Sequence, residues 1–329
     1  MYKLEEKVSI ESQSSNLNSE NKTMLKYDDL LEDVEKVISY DFCVMKASEP
    51  LINALTFLML QNINYIIVVD QDNKFLGFVN DTLILCKFPP PDSSLPPEYK
   101  INDRNFHKKV RNYINHAKKQ PIEDILGVMP FFRCFYKNRA TILGAMEELV
   151  KPYGHYIEEK IIPVLNENQN LVGVVSDKDI LKFIRDEPLL INTSVEVAFK
   201  KKFIDLFTLP PETTLASAYL CIEYIPREYI LICDERDNLL GWINRRKVTP
   251  MAHPLYHHLI KMPIKEIMEP VTKLDLIESK QAISEVIKAF LDKGREAVVI
   301  VTKNKENHEI PLGIITPKDV LQFFYFNFQ

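Results

Sequence analysis

The sequence predicts an α/β repeat fold: four copies of a strand–helix–strand–strand–helix unit, grouped in two pairs. Three observations predict it. The stretch Gly313-Ile-Ile-Thr-Pro-Lys-Asp-Val320 returns as Gly173-Val-Val-Ser-Asp-Lys-Asp-Ile180, and in weaker form as Gly77-Phe-Val-Asn80 and Gly241-Trp-Ile-Asn244. Upstream of each copy, apolar residues fall at helical spacing; Ile283, Val286, Ile287, Phe290 and Leu291 follow the i, i+3, i+4, i+7, i+8 rule. Between helix and glycine lies a short, nearly continuous apolar run, the pattern of a strand buried on both faces.

All four copies carry a helix-capping residue: Asn80, Ser176, Asn244 and Thr316. Three residues later stand Leu83, Asp179, Lys247 and Asp319. Ser or Thr followed by an acid at that spacing is a capping box. The cap is general, but the acid appears only in the second and fourth copies. Capping does not require that alternation, so a ligand role for the two acids stands beside it.

In chain order, residues 1–27 are polar, carry Glu5, Glu6, Glu11 and Glu20, and read as a mobile tail. Residues 28–88 form the first repeat. Leu30 to Ile38 is read as a lead-in helix, and Leu51, Leu55, Leu58 and Met59 share a helical face. Tyr65 to Val69 is a strand, Gln71 to Lys74 a turn, and Phe75 to Val79 a second strand. Residues 89–120 break the pattern with Pro89-Pro90-Pro91 and Pro96-Pro97, then a basic stretch from His107 to Lys119. That stretch reads as a solvated helix, with a phosphate-binding or partner-binding arm as the alternative.

Residues 121–187 form the second repeat, with Ile142, Met146, Leu149 and Val150 on the helix face and Ile161 to Leu165 and Leu171 to Val175 as strands. The third, 195–249, has Leu215, Ala218, Tyr219 and Ile222, then the strand Tyr229 to Cys233. The fourth, 264–328, adds Ala297 to Val301 and Leu312 to Ile315 to the helix already named. The domains expected are therefore the tail, a first module at 28–187 and a second at 188–329.

The 329 residues allow two domains of ordinary size. A net charge of −5 argues against bulk attraction to nucleic acid or an anionic membrane. No apolar run reaches bilayer length. Five cysteines without a C-x-x-C point to a reducing, cytoplasmic setting rather than a disulfide or zinc framework. G-x-S-x-G, H-E-x-x-H and the phosphate-binding G-x-x-x-x-G-K-[ST] loop are absent, so no catalytic activity is expected. His253 and His257 stand at i, i+4, followed by His258, but no nearby carboxylate completes a metal set.

The repeats, together with Ile264-Lys-Glu-Ile-Met-Glu-Pro-Val271 and Ile161-Ile-Pro-Val164, resemble the cystathionine-β-synthase (CBS) domain family over nearly all of residues 28–328. The four-repeat plan is similar to that of the gamma subunit of AMP-activated protein kinase. The resemblance implies two tandem Bateman modules, each of two βαββα repeats, and an adenine nucleotide (AMP, ADP or ATP) as regulatory ligand. By position it makes Asp179 and Asp319 ribose acceptors, with Ser176 and Thr316 beside them; a carboxylate accepts two hydroxyl donors at once. Tyr65 and Tyr229 come to stand opposite those acids, where each ring either stacks on the base or fills the pocket. Arg227, Lys178, Lys318 and Arg295 are the candidate phosphate contacts, with the His253 cluster as a further one.

The expected function is a non-catalytic regulatory protein that binds nucleotide between paired repeats and signals to a regulated protein. A second copy of the chain is a further candidate partner. The alternative is a ligand-independent scaffold with vestigial pockets.

Overall fold

The computed structural model describes residues 25–40, 42–61, 63, 65–80, 83–84, 119–126, 134–137, 139–151, 161–224, 229–248, 261–271, 275–304 and 308–328. The expected tail up to residue 24, most of the connector at 85–118, Arg227 and the histidines at 253–258 lie outside them.

Four α/β repeats are built alike. The first has β1 (Val44–Lys46), α2 (Leu51–Gln61), β2 (Ile66–Val69) and β3 (Phe75–Val79), after a short α1 (Tyr27–Leu30). The second follows α3 (Glu123–Leu126) with β4 (Phe135–Tyr136), α4 (Ile142–Val150), β5 (Ile161–Leu165), β6 (Leu171–Ser176) and α5 (Asp177–Ile184). After α6 (Pro188–Asn192) and α7 (Val195–Phe199), the third has β7 (Thr208–Leu209), α8 (Leu215–Tyr224), β8 (Tyr229–Cys233), β9 (Leu239–Asn244) and α9 (Arg245–Val248). The strand β10 (Glu269–Pro270) precedes the fourth: β11 (Leu276–Glu278), α10 (Ile283–Leu291), β12 (Val298–Lys303), β13 (Glu309–Ile315) and α11 (Pro317–Asn327). In every repeat the middle strand pairs parallel to the first and antiparallel to the third.

The middle strand feeds two cores, because alternate side chains leave a sheet on opposite faces. In β2, Ile66 and Val68 join Leu51, Ala54 and Leu58 under the helix, while Ile67 and Val69 meet Ile161 and Val174 of the second repeat. In β8, Ile230 and Ile232 face their own helix, and Leu231 and Cys233 meet Val299 and Val301 of the fourth repeat. The repeats thus pair sheet to sheet, first with second and third with fourth. A further core joins the second and fourth repeats through their helices, with Met146, Ile180, Ile184, Phe290, Val320 and Phe324 all buried in it. The aromatic-rich α11 closes this contact: Phe323 lies 5.9 Å from Phe199, and Phe328 lies 4.6 Å from Phe324.

The turns between second and third strands also repeat. Asp70, Asn166 and Asp234 each accept, through Oδ1, the amides two and four residues on. Asn73, Gln169 and Asp237 follow with positive φ. These are side-chain-nucleated turns, which Asp and Asn favour for that reason. Each middle strand also carries a register shift opposite the glycine-containing strand.

The lead-in segments depart from expectation. Leu30 to Ile38 is not one helix: α1 stops at Leu30, Asp33 caps a single 3-10 turn at Val34–Val37, and Ile38 is extended. The cause is non-local pairing. Val34 donates to the Ala140 carbonyl and Ile142 to the Glu32 carbonyl, and Ser39 bridges Val174. The segment preceding the first repeat therefore completes the second. Reciprocally, Leu51 donates to Gln120 and Ile122 to Glu49, so the segment before the second repeat completes the first. The same exchange links Val195 to Gln281 and Leu215 to Met262 in the other pair.

This exchange explains the recurring glycine. A Cβ on Gly173 would strike the Ile38 side chain and come within 2.9 Å of the Ser39 carbonyl oxygen. On Gly241 it would strike the Glu269 carbonyl, and on Gly313 it would lie 2.9 Å from the Phe203 ring. The crossing segment occupies the space a side chain would need.

Candidate functional site

The capping residue is the last of the third strand in the second and third repeats and the residue just after it in the first and fourth. Asn80 Oδ1 accepts the Leu83 amide at 2.7 Å, and Asn244 Oδ1 accepts the Lys247 amide at 2.9 Å. In those odd repeats no acid follows, and Lys247 pairs with Glu269 at 2.8 Å.

The even repeats are different. Oδ2 of Asp179 accepts the Ser176 amide at 2.8 Å and the Ser176 hydroxyl at 2.6 Å. Oδ2 of Asp319 accepts the Thr316 amide and hydroxyl, both at 2.7 Å. The capping box is present in both. It occupies one carboxylate oxygen, and among the described residues nothing donates to Oδ1 of Asp179. Burial pushes the Asp179 carboxyl up, opposed by the Ser176 bonds and by Lys182. Capping and ligand acceptance are thus compatible: the cap holds one oxygen and fixes the carboxylate's orientation.

Tyr65 enters this site from the first repeat. Its hydroxyl is pushed up, first by burial and then by the charges of Asp177, Asp179 and Glu296, with a smaller contribution from Cys43. Its ring rests edge-on to Phe78 at 5.9 Å. Three repeats therefore contribute: the first gives Tyr65 and Cys43, the second Asp177 and Asp179, and the fourth Glu296. Tyr65 packs against the cluster of Ile67, Val69, Phe78, Ile161 and Val174 between the two sheets, and Ile161 is the strand partner of Ser176, so the tyrosine lies on the side of the module that carries Asp179. Asp177 and Glu296 were not foreseen. Asp177 is buried, and one of its oxygens takes the Lys178 amide at 2.7 Å. The Asp-Lys-Asp run could have flagged it; nothing local could have flagged Glu296.

The second module is built differently. Tyr229 is 7% exposed, and its ring lies 4.8 Å from Trp242 at 34°. Pro317 stands where the first module has Asp177. The ring is packed into the module rather than presented at its rim.

Three of the expected phosphate contacts are engaged elsewhere. Lys178 reaches Glu296 Oε1 at 3.1 Å and the Gly294 carbonyl at 3.4 Å. Lys318 reaches the Lys151 carbonyl at 3.4 Å, beside a bond from Gln322 to the Val150 carbonyl at 3.0 Å. Both lysines are drawn to carbonyls just past the end of a neighbouring repeat's helix, where cations are favoured. Arg295 and Lys293 are bound to Asp275. Among the described residues no cluster of three or more His, Cys, Asp or Glu could hold a metal, and no helix is long and apolar enough to cross a membrane.

The model of the CBS domain family matches residues 145–186 and 264–325, which lie in the second and fourth repeats. No curated protein matches the chain by sequence. A protein of Methanocaldococcus jannaschii, proposed as an archaeal homolog of g-AMPK, superposes with a TM-score of 0.66 at 16% identity, over 89% of this chain and 100% of that one. An uncharacterized conserved protein of Pyrococcus horikoshii superposes with a TM-score of 0.52 at 12% identity, over 88% and 99%. At these identities the likeness is one of fold.

Proposed function

We infer that this chain of four α/β repeats, of which the second and fourth match the CBS domain model, is a regulatory protein of two Bateman modules that binds an adenine nucleotide at Asp179 in the first module and signals its state to a partner. One observation carries this reading: Asp179 holds a half-buried carboxylate at a helix start, one oxygen fixed by Ser176 and the other without a donor among the described residues. The other oxygen suits ribose hydroxyl donors, and Tyr65 offers a ring for the base. Ligand bridging the first and second repeats acts on the rest of the molecule only through a difference in affinity between arrangements of the modules. Helices of the second repeat pack directly on the fourth, which supplies a route.

Asp319 is the corresponding acceptor in the second module. The buried Tyr229 favours the scaffold reading there, with the ring filling the space the base would need.

Calorimetric titration with AMP, ADP, ATP and S-adenosylmethionine tests the proposal. Saturable binding that Asp179→Asn removes and Asp319→Asn spares supports it. Absence of binding at millimolar ligand would overturn it in favour of a scaffold.

A further inference from the structure

We propose that Glu296, from the fourth repeat, sets the charge preference of the ligand site at Asp179 in the second. The inference rests on the reading of Asp179 as a ribose acceptor. Lys178 stands between Asp177 and Asp179 in the chain, in the first turn of α5. In this structure its ammonium is paired with Glu296 Oε1 at 3.1 Å and with the Gly294 carbonyl at 3.4 Å. Glu296 is also one of the carboxylates facing Tyr65. It therefore holds the ammonium of a lysine adjacent to Asp179 in the chain in a net-neutral pair.

An uncharged adenosine moiety enters such a site without disturbing the pair. A phosphate group does not: it competes with Glu296 for Lys178. Glu296 thereby lowers the gain in affinity that a phosphate brings. Since it belongs to the second module, the preference of the first site depends on how the two modules pack.

Titration of the full chain with adenosine and with AMP separates these effects. For Glu296→Gln, AMP binding should tighten by about two- to fivefold, the upper part of the range expected of a partly exposed ion pair, while adenosine stays within about 1.5-fold. Adding Lys178→Gln to that variant should return AMP to the wild-type value. Glu296 is 44% exposed at its side chain, so the near-isosteric change is compatible with folding; unchanged thermal unfolding of the free variant checks this. An unchanged ratio of AMP to adenosine affinity in Glu296→Gln would overturn the proposal while leaving the Asp179 reading intact, provided adenosine binding is lost in Asp179→Asn. Absence of binding of either ligand to the wild-type chain would overturn both.

Discussion

Lys178 and Lys318 hold the same position in two repeats, and each donates, at 3.4 Å, to a carbonyl just beyond the end of the other repeat's helix: Lys178 to Gly294 after α10, Lys318 to Lys151 after α4. The reciprocity makes the pair a clasp between modules. Lys318→Met keeps the aliphatic stem and removes the donor. It should cost about 0.5–1 kcal/mol in denaturant unfolding, since partly exposed charges are screened. An unchanged midpoint would leave the clasp without energetic weight.

Asp275 should make stability depend on pH. Burial alone raises its carboxyl, but hydrogen bonds from Lys293 and Arg295 outweigh burial and hold it below the usual range. A carboxyl depressed in the folded state contributes stability above its unfolded pKa of about 3.9, and that stability is lost as pH falls through the folded pKa. The donors are 59% and 47% exposed, so screening limits the loss in Asp275→Asn to about 1 kcal/mol at neutral pH. Chemical unfolding at pH 7 and pH 3 should show the gap between variant and wild type closing at the lower value.

The glycines of the third strands should not tolerate alanine. At Gly241 the new methyl would strike a backbone carbonyl, that of Glu269, which cannot swing aside as a side chain can. Gly241→Ala should destabilise by about 1–3 kcal/mol or more, through overpacking. Gly294 has φ of +68° with open space around it, so Gly294→Ala should cost only the backbone strain of about 1–2 kcal/mol. Thermal unfolding of the two variants ranks them, and a harmless Gly241→Ala would contradict the crossing described above.

The two tyrosines should separate by stability. Tyr229→Ala removes a buried ring and should cost about 3–5 kcal/mol; Tyr65→Ala, at a half-buried rim, should cost less. Trp242, which packs against Tyr229, is the single tryptophan of the chain. Its fluorescence should therefore change in Tyr229→Ala and stay nearly constant in Tyr65→Ala. Equal costs for the two would place Tyr65 in the core as well.

Elements set by neighbours in sequence were legible. Helix caps at Ser176 and Thr316, turns at Asn166 and Asp234, and the split faces of β2 and β12 all follow from local periodicity and side-chain chemistry. The alternation of acids was legible too, and it singled out Asp179 and Asp319; Tyr65 entered only through the family resemblance. What depends on distant pairing was not. Leu30 to Ile38 carries helical spacing, yet its hydrogen bonds to Ala140 and Val174 override that preference. The lysines looked like phosphate contacts because nothing in the local sequence records that the second and fourth repeats touch. The glycine signal was visible as an echo, but its cause lay in the segment that crosses it.

That crossing bears on how such a chain can be cut or copied. A fragment spanning one repeat would lack the edge piece that its sister lends, and would carry instead a piece with nowhere to dock. A lone repeat is therefore an open body with exposed core, whereas a pair closes on itself. The smallest self-contained block of this architecture is two repeats long, the same period as the alternation of the acids.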